Sequence, residues 1–389
     1  MKRTTSFFTL LTFLCIGLVG LVLTPAPAQA QALTYETDDG WSFQTTGRIP
    51  VFLNASSHEN FSENGDDQFA TRIMSGFIPG ELNFMMSAPT QNGVDVSAMF
   101  QINHHLQGPG LQNDGLFEGR IVDIIIAGNF GTFNIGKGFG IFNATALGDA
   151  GSGTGVGRFL GPDYANATLG RIGTGYTYAN FNPRITYSTP DLNGFGLTAG
   201  LINPENPALD DAEIETATPR VEGQIDYTFD LGTGSFMLWA GGMYQQVTVT
   251  SEDFDYNMSG WDVGGRLNAA GIGLSGSFSQ TNSVGADGLY GINLEGGGLD
   301  EANVDATQWY VEGTYDFGGF VLGASYGEGD QDAETTQVGS SPAITNELLM
   351  IFSRYMVNDN LTFTAEFQDF ASDAQNDYNA FILGAQLTF

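Results

Sequence analysis

A regular alternation of tight turns with long polar loops is the feature that most constrains the fold of this chain. Tight turns rich in glycine, asparagine and aspartate occur at 90–93, 128–131, 191–194, 231–234, 270–271, 317–319 and 358–360. Longer polar segments lie between them, at roughly 54–69, 104–116, 142–182, 204–218, 250–257, 283–305, 328–345 and 371–378. Because such turns join antiparallel strands, this strict alternation predicts sixteen strands, with every long loop on the same side.

The predicted strands carry apolar and polar residues in alternation. In 221–229, for example, Val221, Ile225 and Tyr227 face one way, and the polar residues between them face the other. A charged face on strand after strand is unusual in a soluble core, but in a closed barrel it lines a water-filled lumen. The sequence therefore predicts an all-β fold, a sixteen-stranded antiparallel transmembrane β-barrel; a two-layer sandwich is the alternative. The acids predicted to face the lumen are Glu222, Asp226, Asp262, Glu312, Asp316 and Glu366.

The N-terminal segment has the pattern of a secretory signal peptide. A basic start is followed by an apolar run from Phe7 to Leu23 and by a small-x-small site at 28–30. We expect a signal peptide over 1–30 and a single β-barrel domain over 31–389. Cys15 is the one cysteine, so the mature chain would contain neither a disulfide nor a thiolate metal site.

The last strand ends on an aromatic residue. Apolar residues alternate with small or polar ones up to the C-terminus, which fits a closing strand that faces lipid on one side. This pattern also resembles the C-terminal signal that barrel-insertion machinery reads. Its residues are Phe381, Leu383, Leu387 and Phe389.

Composition and motifs exclude several other functions. The chain has 44 acidic and 12 basic residues, which argues against binding nucleic acid through a basic surface. The glycine-rich run 151–157 lacks the spacing and the following helix of a phosphate-binding loop. Of the three histidines, His104 and His105 are adjacent and would point to opposite faces of a strand. We therefore expect no cofactor, no metal site and no enzymatic activity.

Three segments resemble the general, non-specific porins of Gram-negative outer membranes. Asn129–Gly140 resembles the end of the fifth strand of that family, and Arg184–Phe195 resembles the hairpin after the third loop. Arg120–Ile124 resembles a third family segment, whereas Lys137 replaces the usual arginine. The resemblance implies a homotrimeric channel in the outer membrane for passive diffusion of small hydrophilic solutes. It also implies that the long third loop, here 142–182, folds into the barrel and narrows it.

The resemblance further implies a constriction where basic residues on the wall face acidic residues on the third loop. By position, the candidates are Arg48, Arg72, Arg120 and Arg184 on the wall and Asp149 and Asp163 on the loop.

Strict alternation supports only part of this assignment. It places Arg48 and Arg184 inside the barrel, but it gives Arg72 and Arg120 the same parity as outward apolar residues. Either a bulge intervenes, for which Pro79 and Gly80 are candidates after Arg72, or these two arginines lie above the apolar band.

The inward acids outnumber the inward arginines, which are Arg48, Arg184 and Arg266, so the sequence predicts a weak cation preference. The expected partners are small ions and solutes, outer-membrane lipid and lipopolysaccharide. A substrate-specific channel and a barrel enzyme remain alternatives. The mature chain has a single lysine, which disfavours a phosphate channel, and the scarcity of histidine disfavours an enzyme.

Overall fold

A computed structural model describes residues 32–59, 65–106, 117–159, 161, 167–204, 214–285 and 302–389; the predicted signal peptide 1–30 and Asp163 lie outside these ranges. Sixteen antiparallel strands form a closed barrel, as predicted. Closure occurs because the last strand pairs with the first, from Thr388 opposite Arg48 to Tyr378 opposite His58.

We number the barrel strands in chain order. The first eight are β1 (Ser42–His58), β2 in two segments (Gln68–Met74 and Gly80–Ser87), β3 (Val94–His104), β4 (Phe117–Gly128), β5 (Gly131–Phe139), β6 (Phe181–Ser188), β7 (Phe195–Ile202) and β8 (Arg220–Asp230). The other eight are β9 (Gly234–Val249), β10 (Phe254–Ala269), β11 (Ile272–Asn282), β12 (Asp305–Asp316), β13 (Phe320–Gln331), β14 (Ile344–Met356), β15 (Leu361–Ser372) and β16 (Tyr378–Thr388).

Short accessory strands extend the barrel at both ends. Leu33–Glu36 pairs with the start of β1, and Ile214–Glu215 pairs with the end of β9. Glu334–Thr336 and Gly339–Ser341 form a separate hairpin within the loop after β13.

The predicted tight turns all connect neighbouring strands, and their residues explain why they are tight. Asn193 and Gly194 have φ angles of 59° and 88°, and Ala270 and Gly271 have φ angles of 51° and 82°. Two consecutive positive φ angles are typical of the turn whose twist matches that of an antiparallel hairpin, and glycine or asparagine adopts them at low cost.

Side-chain burial alternates along most strands. Outward Val221, Val311 and Ile351 are about half exposed, whereas inward Glu222 and Glu366 are almost completely buried. A wide apolar outer surface combined with polar inward side chains is the arrangement of a barrel that spans lipid. No helix among the described residues is long and apolar enough to cross a membrane.

An interruption in β2 reverses which side chains of that strand face the lumen: even-numbered residues do so above it and odd-numbered residues below it. In the upper segment Phe69 and Ile73 face outward, so Arg72 faces the lumen together with Met74. In the lower segment Phe84 faces outward, and Glu81 faces the lumen. Residues 75–79 leave the sheet between the two segments, which is why strict alternation misassigned Arg72.

A β-bulge in β4 has the same effect on Arg120. Gln101 pairs with Ile121, but the next residue, Ile102, pairs with Gly119, which leaves Arg120 as the extra residue. Arg120 is buried inside the barrel, although Val122 below it faces outward. Bulges locally shift which way side chains point, so both arginines in doubt lie on the lumenal side.

The long loop between β5 and β6 enters the barrel and packs apolar side chains against its inner wall. Its described residues include one turn of 3-10 helix, Ala146–Gly148, and one of α-helix, Ala150–Gly153. Its apolar side chains pack against the wall in three clusters. Phe142 packs near Met243 and Tyr256, Ile172 and Tyr176 near Trp239 and Tyr310, and Val156 and Phe159 near Phe52, Phe370 and Tyr378.

The interruption in β2 gives a direct prediction for two adjacent residues. In Arg72→Cys the thiol should react quickly with a charged, membrane-impermeant thiol reagent that enters the lumen. In Ile73→Cys the thiol faces outward, so it should react at least about tenfold more slowly. Faster labelling of the residue-73 thiol would show that β2 continues without the reversal.

Candidate functional site

The candidate site is the lumen at the level where the loop 140–180 lies against the barrel wall. The loop contacts β8 first, then β12 and β15, and finally the break in β2. There Phe77 N donates to Gly155 O at 3.1 Å, and Thr168 N donates to Gly76 O at 3.1 Å. The loop therefore follows the inner wall over more than half of the circumference.

Three glutamates on the wall hold the loop through its backbone, and we call Glu222, Glu312 and Glu366 the carboxylate anchors. Each anchor accepts hydrogen bonds from two consecutive amides. The oxygen-to-nitrogen distances are 2.6 and 3.1 Å for Ile141 and Phe142 at Glu222, 2.7 and 2.8 Å for Ala150 and Gly151 at Glu312, and 3.1 and 3.0 Å for Val156 and Gly157 at Glu366. The loop is not paired in a β-sheet, so its buried amides need other hydrogen-bond acceptors. Charged acceptors form strong hydrogen bonds with such amides.

The glycine-rich run 151–157 allows this close approach. A Cβ at Gly151 would lie 2.9 Å from an oxygen of Glu312, and a Cβ at Gly155 would lie 2.4 Å from an oxygen of Glu366. Gly157 has a φ of 64° and packs against the backbone of Gly170, where a side chain would collide. The segment therefore binds carboxylates of its own barrel.

Arginines lie close to the carboxylate anchors, so these acids add little net charge. Arg220 Nε lies 2.7 Å from Glu222 Oε1. Arg171, which is fully buried, interacts electrostatically with Glu312, and Arg354 does so with Glu366. Arg354 also donates to Gly151 O at 2.8 Å. Burying paired charges costs less than burying a single charge, so each pairing reduces the penalty for placing the loop inside the barrel.

Asp149, predicted to be a constriction acid, lies in the interior of the loop. It caps the short helix by accepting from Ser152 N at 2.8 Å, and it also accepts from the Tyr176 hydroxyl at 2.7 Å. Burial and the nearby Asp149 carboxylate raise the pKa of Tyr176 well above its usual value, so the hydroxyl remains a donor. Asp149 is only 2% exposed, and its carboxylate stabilises the loop through these hydrogen bonds.

The remaining predicted lumenal acids have different environments. Asp262 is buried and accepts from Trp239 Nε1 at 2.9 Å. Asp316 is the last residue of β12, and it accepts from the amides of Gly318 and Gly319 in the following turn. Asp226 is partly exposed on the lumenal face of β8. Of the six predicted acids, Asp226 is therefore the one that combines partial exposure with a position inside the barrel.

The predicted wall arginines lie in the lumen, and Arg48, Arg120 and Arg184 contact acids there. Arg48 forms a two-pronged contact with Glu81 at 2.9 and 3.0 Å. Arg120 lies 2.9 Å from Glu118, and Arg184 lies 2.6 Å from Asp123. Arg72 is half-buried and donates to Thr71 O at 3.0 Å. The wall is therefore a set of ion pairs and not a uniformly basic surface.

The acidic partners Glu81, Glu118 and Asp123 were missed from sequence. Glu118 stands two residues before Arg120, a spacing that places both on one face of a strand, so this pair could have been found. The Arg184–Asp123 pair crosses β5, where Gly138 leaves the space that the guanidinium fills: a Cβ there would lie 2.4 Å from Arg184 Nη2.

Phe381, Leu383 and Leu387 of the predicted C-terminal signal lie on β16, and Phe389 follows directly after that strand. Leu387, at 43% exposure, is on the outward face, whereas the Phe389 backbone pairs with Gly47. Among the residues described, no group of three or more histidine, cysteine, aspartate or glutamate side chains is arranged to hold a metal ion.

Comparison with known proteins identifies the family. The family model described as Gram-negative porin matches residues 17–375. The chain belongs to the Gram-negative porin family. No curated protein sequence matches this porin.

Solved structures share the fold at low sequence identity. The outer membrane channel DcaP of Acinetobacter baumannii has a TM-score of 0.64 and 14% identity, over 91% of this chain and 99% of that chain. The anion-selective porin from Comamonas acidovorans has a TM-score of 0.62 and 16% identity, over 90% and 100%. The trimer form of OmpT from Vibrio cholerae has a TM-score of 0.56 and 15% identity, over 90% and 100%. The family and the fold together indicate an outer-membrane channel and not an enzyme.

The carboxylate anchors can be tested by an isosteric change. In Glu312→Gln one amide of the loop loses its charged acceptor and faces an NH₂ group. We expect docking of the loop to weaken by about 2 kcal/mol, the typical cost of unpairing a buried polar group. Open-channel current noise and protease cleavage within 142–159 should both increase, while the barrel stays folded.

Asp226→Asn is the matched control, because it removes a lumenal carboxylate from a wall position that holds no loop amide in the hydrogen bonds described. It should leave current noise and protease resistance unchanged. Equal behaviour of the two variants would contradict the anchoring role of Glu312.

Proposed function

We propose that this porin is a passive channel for small hydrophilic solutes and ions in the outer membrane of a Gram-negative bacterium. The observation that carries the proposal is the combination of a polar barrel interior with a long loop that is fixed inside it. We further propose that segment 1–30 is removed on export. The trimer form reported for the OmpT structure supports a homotrimer for this chain.

The proposed solute path runs between the loop and the wall formed by β2 to β7. Its upper part is bordered by the ion pairs of Arg120 and Arg184. Below these, on the periplasmic side, the lumenal side chains are mainly neutral and polar, and Asn83, Ser97 and Asn134 are partly exposed. Such a lining forms hydrogen bonds with water but offers no strong binding site for a solute, which favours diffusion over specific binding.

We propose that selectivity for charge is weak and arises at the outer mouth. The carboxylate anchors and three wall arginines are paired, so the lumen contributes little net field. Exposed acids of the outer loops, including Asp67, Glu252 and Asp332, would raise the local cation concentration. The sequence predicted a weak cation preference from the inward acids; the exposed acids at the mouth support the same preference.

A substrate-specific channel is the second candidate, and the pairing of the wall arginines argues against it for anionic substrates. A binding site for phosphate or carboxylate needs guanidinium groups that are available to the ligand. Arg48, Arg120 and Arg184 already contact carboxylates of the chain.

Planar-bilayer recording tests this proposal. We expect openings in steps of three, with a reversal potential in a KCl gradient that favours cations at low salt. The preference should decline as the salt rises from about 0.01 to 1 M, because the Debye length falls from about 30 to about 3 Å. No conductance from a folded, heat-modifiable barrel would refute the channel. A preference for anions would refute the role of the mouth acids.

A charge-neutralising variant distinguishes the mouth from the lumen. Arg48→Gln leaves Glu81 unpaired in the lumen, so this variant should shift the reversal potential further toward cations, and the shift should persist at higher salt than the mouth effect. The shift should be absent in the double variant Arg48→Gln, Glu81→Gln. No difference between the single variant and the unmodified protein would mean that this ion pair does not border the path.

A further inference from the structure

Two methionines lie side by side on a part of the lumenal wall that is mainly polar. Met85 on β2 and Met99 on β3 are direct partners in the register of these strands. The pairs next to them on the same face are polar ones: Asn83 opposite Gln101, and Ser87 opposite Ser97. The methionine pair therefore interrupts a lining that mainly forms hydrogen bonds with water.

A hydrogen bond between their neighbours fixes the direction of both side chains. Gln101 donates to Asn83 Oδ1 at 3.0 Å on the lumenal face. Met85 and Met99 each lie two residues from this bonded pair, and β2 and β3 pair here without a shift of register. Because side chains two residues apart on a strand share a face, both methionines face the lumen.

The two methionines do not take part in the apolar packing between the loop and the wall. Four other methionines are buried in those clusters: Met74, Met243, Met258 and Met350. Met85 and Met99 are partly exposed, and in the described part of the chain they belong to none of the three clusters. Their sulfur atoms are therefore available to a solute that passes along this wall.

Two neighbouring thioethers form a ligand set for one chemical class of ion. Direct cross-strand partners have Cβ atoms about 4.5–5.5 Å apart. The methionine side chain is long and flexible, so both sulfur atoms can reach one ion between them. Thioether sulfur is soft and uncharged, and it selects soft monovalent ions such as Cu(I) over hard ions. Ag(I) has the same preference and is stable in water.

The surroundings of the pair offer little to a hard cation. Asp123 on β4 is the register partner of Met99, but its carboxylate lies 2.6 Å from Arg184 Nη2. A paired carboxylate attracts a passing cation far less than a free one. Cys15, the one thiol of the sequence, lies in the predicted signal peptide, so the thioethers are the soft sulfur ligands of the barrel.

We propose that Met85 and Met99 form a transient binding site for soft monovalent cations, Cu(I) or Ag(I), as these ions cross the channel. The inference rests on the proposed function, because it needs a solute path along β2 to β7. The ions are cargo and not a resident metal. Two uncharged ligands hold an ion weakly enough to release it, which conduction requires.

Planar-bilayer recording with Ag(I) tests this site. The protein carries Cys15→Ser, which removes the thiol, and the electrolyte is potassium nitrate, because chloride precipitates silver. Micromolar silver nitrate should cause brief interruptions of the single-channel current, with a frequency proportional to the Ag(I) concentration and a constant duration. Because the ligands are uncharged, the duration should be the same at about 0.01 and about 1 M salt. A conducting channel without interruptions would overturn the inference.

The matched variants differ in whether a second thioether is adjacent. Met85→Leu and Met99→Leu each remove one sulfur with little change of volume, which folded proteins tolerate well. Each should shorten the interruptions several-fold, because one thioether holds Ag(I) more weakly than two. Met237 is also lumenal, on β9, but its cross-strand partners are Thr228 and Arg266, so Met237→Leu should leave the duration unchanged. Unchanged interruptions in Met85→Leu would overturn the inference.

Calorimetric titration of the protein in detergent separates the binding site from the channel. The double variant Met85→Leu, Met99→Leu, still heat-modifiable, should bind one Ag(I) fewer per chain than the unmodified protein. Equal binding by the two proteins would assign the ion to other ligands, such as the histidines, and would overturn the inference even if the channel conducts. Loss of one Ag(I) in a barrel that does not conduct would support the site and refute the proposed channel.

Discussion

The structure depends on the pairing of loop amides with carboxylates of the barrel wall. A closed barrel of sixteen strands has an interior that side chains of the wall alone leave open. The loop 140–180 enters that interior with almost no secondary structure, so most of its backbone groups need partners from outside the loop. The carboxylate anchors supply charged acceptors at three widely spaced strands, β8, β12 and β15. The path of the loop, and with it the shape of the lumen, follows from these positions.

The anchors explain why acidic residues inside a channel need not make it selective for cations. Glu222, Glu312 and Glu366 have arginines nearby, and their carboxylate oxygens accept hydrogen bonds from amides of the loop. The wall arginines Arg48, Arg120 and Arg184 are in turn paired with acids. A charge that is buried and paired affects ions in the lumen far less than a charge in water-filled space. The exposed acids in the loops at the mouth are then the main source of the electrostatic field that acts on ions.

The fold was predictable from sequence because the patterns that specify it are local and recur along the chain. Turn residues recur at regular spacing, and each strand alternates in register with its neighbours, so strand number and facing followed directly. Arg72 and Arg120 show where this reasoning ends. A break at residues 75–79 and a one-residue bulge at Arg120 invert the parity, and neither has a unique signature in one sequence.

The contacts of the loop were less predictable than the wall. The resemblance to general porins indicated that the loop folds inward, but the partners of Glu312 and Glu366 are 161 to 210 residues away in sequence. Asp149 was assigned to the pore because it is acidic, whereas it caps a helix of four residues. Hydrogen–deuterium exchange of the loop in the protein reconstituted into lipid tests the central claim most directly. If the carboxylates hold the loop, the amides of 141–157 should exchange as slowly as those of the barrel strands. Exchange within seconds, at the rate of the exposed outer loops, would contradict the account.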